Sequence, residues 1–96
     1  MNVVYMLRCA DDSLYTGWTN DFPHRLRTHR AGHGGKYTSS HLPVTPVYLE
    51  PCETRELAMS REWHLKRLTR QQKLALITQN AESTSRLLLE FGIKMQ

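Results

Sequence analysis

Long apolar runs are missing from this 96-residue chain. Nothing approaches the ~20 consecutive apolar residues that a membrane span requires. The run Val3-Val4-Tyr5-Met6-Leu7 stops at Arg8, too short for a secretory leader, so the cytoplasm is the expected compartment. Cysteine is scarce as well. Cys9 and Cys52 make neither a disulfide framework nor a metal motif; they suit small buried positions at strand ends. The histidines supply no zinc set either: of His24, His29 and His33 only the last two share a helix side, with no cysteine near. Internal repeats, linkers and low-complexity segments are absent, and the length is that of one domain. The last shortage is local. Residues 24–36 hold Arg25, Arg27, Arg30 and Lys36 with no acid, and residues 61–73 hold Arg61, Lys66, Arg67, Arg70 and Lys73 against Glu62 alone. Within a net charge of +4, such stripes suit a polyanion such as nucleic acid, or simply a solvated surface.

What is present begins with strand signals. Residues 2–9 are rich in Val and Tyr, Asp11-Asp12-Ser13 is a turn, and residues 14–19 return. Gly17 inside the second run marks a bulge or a close approach. A three-residue loop at 11–13 pairs Ala10 with Leu14 and Cys9 with Tyr15, which puts Tyr5, Tyr15 and Gly17 on one face. A two- or four-residue loop would separate the tyrosines. Asn20 or Asp21 then caps a helix that has Pro23 in its first turn and ends at Gly32. At ~100° per residue, Phe22, Arg25, Leu26 and His29 share the side that packs on the sheet. A charge there needs a partner: a structural carboxylate, or a phosphate that matches the planar guanidinium. Two tyrosines facing an Arg and a His suit the handling of a phosphodiester.

The glycine-rich loop 32–45, with Lys36-Tyr37-Thr38-Ser39-Ser40-His41, has the length of a binding loop or of a mobile one. Pro43 and Pro46 frame a third strand, 47–50, which Pro51 closes. Thr54 caps a helix over roughly 54–68 whose apolar side holds Ala58, Leu65 and Leu68, extended by Leu57. Met59 and Trp63 form a separate flank that could meet the C-terminal segment. Glu62 stands at the edge of the apolar side, either bridged to Lys66 or holding a hard cation such as Mg2+. Thr69 and Gln72 have capping-box spacing and start a helix to Gln79, with Asn80 at its end. Residues 83–91 could form a last helix around Leu87, Leu88, Leu89 and Phe91, as an interface or as a cover for the domain's own core. The element order predicts a small α+β domain, a three-stranded sheet with helices against it.

Taken together, Val3-Val4-Tyr5, then Tyr15-Thr16-Gly17, Arg25-x-x-x-His29 and Glu62 resemble the ordered motifs of the GIY-YIG nuclease superfamily. Gly34-Gly35-Lys36-Tyr37-Thr38, Pro46-Val47-Tyr48, Ala58 to Glu62 and Lys73 to Ile77 resemble its small single-domain branch of uncharacterised bacterial proteins. The resemblance spans about residues 2–80. Val3 stands where the family name has Gly, and Thr16 where it has Ile; both keep strand propensity. Asn80 loosely matches an asparagine found late in the family's domain. The resemblance implies a three-stranded antiparallel sheet flanked by helices, with residues 1–80 as the nuclease domain and 81–96 as a C-terminal extension.

It also implies metal-dependent hydrolysis of phosphodiesters, in DNA rather than RNA, on repair or recombination intermediates. The candidate catalytic residues are Tyr5, Tyr15, Arg25, His29 and Glu62. Glu62 would hold Mg2+ or Mn2+ and Arg25 the scissile phosphate. A water would attack, with a tyrosine or His29 taking its proton. By reference pKa His29 is the better final acceptor; by family resemblance a tyrosine is. Arg27, Lys36, Tyr37, Lys66, Arg70 and Lys73 are candidate nucleic-acid contacts. The competing functions are a nucleic-acid-binding module of low turnover and a subunit that depends on a protein partner for specificity.

Overall fold

A computed structural model of the chain describes residues 1–94. Strands β1 (Asn2–Arg8), β2 (Leu14–Thr19) and β3 (Thr45–Cys52) form one sheet in the order β2-β1-β3, with both pairings antiparallel. Five helices surround it: α1 (Phe22–Arg30), α2 (Lys36–Ser39), α3 (Arg55–Lys66), α4 (Arg70–Gln79) and α5 (Ala81–Glu90). This is the α+β architecture expected from the sequence.

The apolar run in β1 is continuous because β1 is central and covered on both faces. Val3, Val4, Tyr5, Met6 and Leu7 are all buried. Alternate residues feed two cores. Val3, Tyr5 and Leu7 join Phe22 and Leu26 of α1 and Leu87 and Leu88 of α5. Val4 and Met6 join Tyr48 with Ala58 and Leu65 of α3, and Leu76 and Ile77 of α4 pack against them. A polar clamp reinforces the second core: Tyr48 donates its hydroxyl proton to Glu50, and Arg61 Nε donates to Glu50 Oε1 at 2.9 Å and Oε2 at 3.1 Å.

Several expectations shift. The hairpin turn falls one residue earlier than 11–13, so Tyr5 pairs with Gly17 and Leu7 with Tyr15. Every partner moves by two residues, and the tyrosines stay on one face. The turn sits there because Asp12 adopts φ 72°, a conformation Asp tolerates, while Asp11 Oδ1 accepts from Ser13 N at 3.1 Å. Strand β3 contains Pro46 and Pro51 instead of ending between them. As an edge strand it can leave a missing N–H outward, and its pairing shifts register between Met6 and Leu7. The 32–45 loop holds the short helix α2. In α3, Leu57 does not extend the apolar side but is exposed. Met59 and Trp63 face solvent rather than the C-terminal segment, because α5 packs on β3 in the core opposite α3; Arg67 covers the Trp63 ring at 3.8 Å instead.

Residues 81–94 of the C-terminal extension carry α5, whose buried Thr84, Leu87 and Leu88 close the domain's own first core; residues 95 and 96 lie outside the described residues. Thr84 Oγ1 also accepts from Leu49 N at 3.2 Å. Leu88→Ala should therefore lower stability by about 3 kcal/mol in urea unfolding, a large part of the roughly 5 kcal/mol available to a domain this small.

Candidate active site

The hairpin and α1 converge on one buried contact. Asp21 caps α1, its side chain accepting from His24 N at 3.2 Å, with Pro23 in the first turn. Phe22, Leu26 and His29 then face the sheet. The Tyr5 hydroxyl lies 2.9 Å from His29 Nε2, and His29 Nδ1 lies 2.9 Å from Thr38 Oγ1. His29 and Thr38 are fully buried and Tyr5 is 1% exposed. Tyr15 completes the cluster, its ring centroid 6.4 Å from Tyr5 and 5.3 Å from His29. Its hydroxyl bonds to no other described residue.

Two glycines make this packing possible. A Cβ at Gly17 would lie 2.6 Å from Tyr5 Oη, and one at Gly34 would lie 2.1 Å from His29 Nδ1. Gly17 is thus the close approach that the sequence suggested. Gly34 and Thr38 were not assigned a role from sequence. A glycine pair before a short polar stretch signals close backbone packing, but nothing in the spacing says that its target is His29.

Electrostatics keep the pair neutral. Burial pushes the Tyr5 phenol well above its usual range; Tyr15 adds to this, Arg25 opposes it and Glu62 adds again. Burial and then the Arg25 charge hold His29 below the ordinary imidazole value. Charges on Arg25 and Glu62 therefore both reach the cluster, although neither hydrogen-bonds to it. Arg25 is exposed, not packed beneath α1 as expected: its long side chain reaches an open pocket past the end of β2, shared with Asn2, Trp18, Thr19, Asn20 and Arg55. Among the described residues it forms no salt bridge, so a structural carboxylate does not account for it. Glu62 is part-buried on α3, with Oε2 3.6 Å from Lys66 Nζ. Burial raises both thiols, Cys9 and Cys52, which suppresses the thiolate and with it nucleophilic chemistry.

The basic candidates separate into groups. Arg70 and Lys73 line a small pocket with Ser13 and Leu14 at the hairpin turn. Tyr37 donates to Ser13 Oγ and stacks on His41, centroids 4.3 Å apart, which brings the start of α2 to the same turn. Lys36 and Lys66 are exposed, and Arg27 is exposed on the outer side of α1. Asn80 stands at the α4–α5 junction, its amide donating to Leu76 O at 2.8 Å.

The model of the GIY-YIG catalytic domain matches residues 1–75. The chain belongs to the GIY-YIG family. Its relatives include a UPF0213 protein of Clostridium perfringens, 53% identical over 78 residues, covering 81% of this chain and 84% of the relative. Another, from Haloquadratum walsbyi, is 44% identical over 79 residues, covering 82% and 89%. The solution NMR structure of a UPF0213 protein from Bacillus halodurans superposes with a TM-score of 0.56 at 38% identity, covering 84% of this chain and 87% of that one. GIY-YIG membership gives a nuclease-type function and nucleic acid as the substrate class. Among the described residues, no helix is long and apolar enough to cross a membrane.

Two measurements check this packing. Gly34→Ala should destabilise the GIY-YIG domain by about 1–3 kcal/mol, because His29 is fully buried and cannot yield without disturbing Tyr5 and Thr38. A His29 held neutral in the fold can still protonate when the chain unfolds. The unfolded state then binds more protons as pH falls, so stability drops below about pH 6.5. The thermal midpoint should fall between about pH 7.5 and 5.5, and fall less in His29→Gln.

Proposed function

We propose that this GIY-YIG protein is a cytoplasmic, metal-dependent endonuclease that hydrolyses phosphodiester bonds in DNA, on repair or recombination intermediates. One observation carries the reading: a polar chain, Tyr5–His29–Thr38, runs through the core beside Tyr15, within reach of the Arg25 and Glu62 charges. Buried polar groups are expensive unless satisfied, and apolar residues could fill that space. Here the groups are satisfied in a line that can move a proton.

The donor set fits a hydrated hard cation. No three His, Cys, Asp or Glu side chains converge among the described residues, whereas Mg2+ or Mn2+ can be held through one or two carboxylates and several waters. Glu62 would be the protein ligand, and its 3.6 Å bridge to the exposed Lys66 is worth little. When bound, the cation would stabilise negative charge on the scissile phosphate and the leaving oxygen.

The chain's own residues would do the rest. Arg25 binds the scissile phosphate and offsets the charge that grows on it. Tyr15, whose hydroxyl has no protein partner among the described residues, orients the attacking water. His29 is wholly buried and Tyr5 retains 1% exposure, so the Tyr5 phenol is the member of the pair through which the proton passes. Tyr5 Oη takes it as Tyr5 gives its own proton to His29 Nε2, while Thr38 fixes the imidazole at Nδ1. A phenol held so high does not ionise beforehand, so both transfers accompany attack. This arrangement unites the two candidate bases: Tyr5 meets the water and His29 is the final acceptor. The Glu62–Lys66 bridge favours one other reading, a binding module or partner-dependent subunit in which Glu62 is structural.

Cleavage of labelled single-stranded, duplex, nicked and branched DNA, beside matched RNA, separates the two. Cutting should require Mg2+ or Mn2+ and disappear in Glu62→Ala. Arg25→Ala should lower kcat by about 10²–10³-fold. Thr38→Val should lower kcat and shift its pH profile, and Thr38→Ser should restore both. Salt-sensitive binding without cutting would establish the binding module instead.

A further inference from the structure

Arg55, the first residue of α3, lies outside every candidate set named from the sequence, yet it shares the open pocket with Arg25. We infer that this pocket is a second phosphate subsite, in which Arg55 takes the phosphate next to the scissile one on the same nucleic-acid strand.

The pocket, about 400 Å³, is lined by Asn2, Trp18, Thr19, Asn20, Arg25 and Arg55. Two arginines and two asparagines line it, and no acidic residue does. The acids nearest in sequence, Asp21, Glu53 and Glu56, do not line it, and Asp21 Oδ1 already accepts from His24 N. Neither arginine forms a salt bridge with any described residue. Like charges sharing one pocket repel, and an anion between them relieves that cost. Arg55 is held in place beforehand: its Cζ lies 5.8 Å from the Trp18 ring centroid, a cation–π contact that restricts the side chain before ligand arrives. Thr19 Oγ1 accepts from Asp21 N at 3.1 Å, which leaves the hydroxyl proton for the ligand. Successive phosphates recur along any strand. With Arg25 on the scissile phosphate, its neighbour in the pocket is the group for the next one. The inference rests on the nuclease reading for Arg25's role alone.

The test uses the full chain carrying Glu62→Ala, without metal, so that no cutting intervenes. Inorganic phosphate is titrated while the Trp18 indole N–H and the Arg55 Nε–H are followed by NMR. A short single-stranded DNA oligonucleotide then gives Kd as a function of salt. Both signals should shift saturably with phosphate, and the Trp18 shift should vanish when Arg55→Gln is added. Arg55→Gln should raise the oligonucleotide Kd about 5–10-fold and reduce the salt slope by about one, with Arg55→Lys recovering most of the affinity. Arg55 is exposed, so the thermal midpoint of Arg55→Gln should match its parent. Phosphate that leaves both signals unmoved, or an unchanged Kd and salt slope in Arg55→Gln, overturns the subsite. If wild type cuts and these changes are absent, the subsite alone fails. If wild type cuts nothing while the Arg55-dependent binding persists, the nuclease reading fails and the pocket stands as a phosphate site without a scissile neighbour.

Discussion

The hydrogen bond between Tyr5 and His29 joins residues 24 positions apart at the centre of the molecule. Much of the structure around it follows from that one contact. Both groups are out of water, so each must keep its partner. Tyr5 must stand on the central strand, where its neighbours on either side fix its height. His29 must face it from α1, which sets how α1 is rotated and where it ends. The glycines at 17 and 34 follow from the same contact, one lying against the phenol and one against the imidazole. Helix α2 follows too, because the second imidazole nitrogen needs a buried partner and Thr38 is delivered by that single turn.

In the proposed mechanism that contact also separates two tasks across the sheet. The groups proposed to handle the proton lie in the core that α1 and α5 cover. Glu62 comes from α3, which packs over the other core. The Tyr48–Glu50–Arg61 clamp ties β3 to α3 one residue before Glu62, so the helix that carries the carboxylate is fixed in rotation against the strands that carry the phenols. Preorganisation of this kind matters because misplaced groups lose most of their catalytic value.

The parts legible in sequence were those governed by local periodicity. Face alternation put Tyr5, Tyr15 and Gly17 together even though the turn was placed one residue late, because an error of one at the turn moves partners by two and preserves the face. Caps at Thr54 and Thr69 were readable for the same reason, and that of α1 was narrowed to Asn20 or Asp21: each cap satisfies backbone groups within its own turn. Long-range partners were not legible. Thr38 looks like any polar loop residue until the fold brings His29 over it. Arg55 fell outside the basic stripe counted from residue 61, and only the meeting of α3 with the end of β2 gives it a neighbour in Arg25.

Arg25 shows why burial inferred from a helical face misleads for long charged side chains. Helical periodicity puts its position on the side of α1 that carries Phe22 and His29, yet the residue is exposed. The guanidinium instead follows its own stem out to water, so the charge escapes the desolvation cost that a structural partner would otherwise have to offset. At that edge it still lowers the imidazole's proton affinity and opposes the rise of the phenol. An anion that neutralised Arg25 would remove both effects at once: His29 would become more basic and Tyr5 harder to ionise as a separate tyrosinate. Phosphate binding would then favour transfer through the phenol to the imidazole over any path that stores charge on Tyr5. In the proposed mechanism, substrate arrival and proton-acceptor strength would be coupled through one exposed arginine.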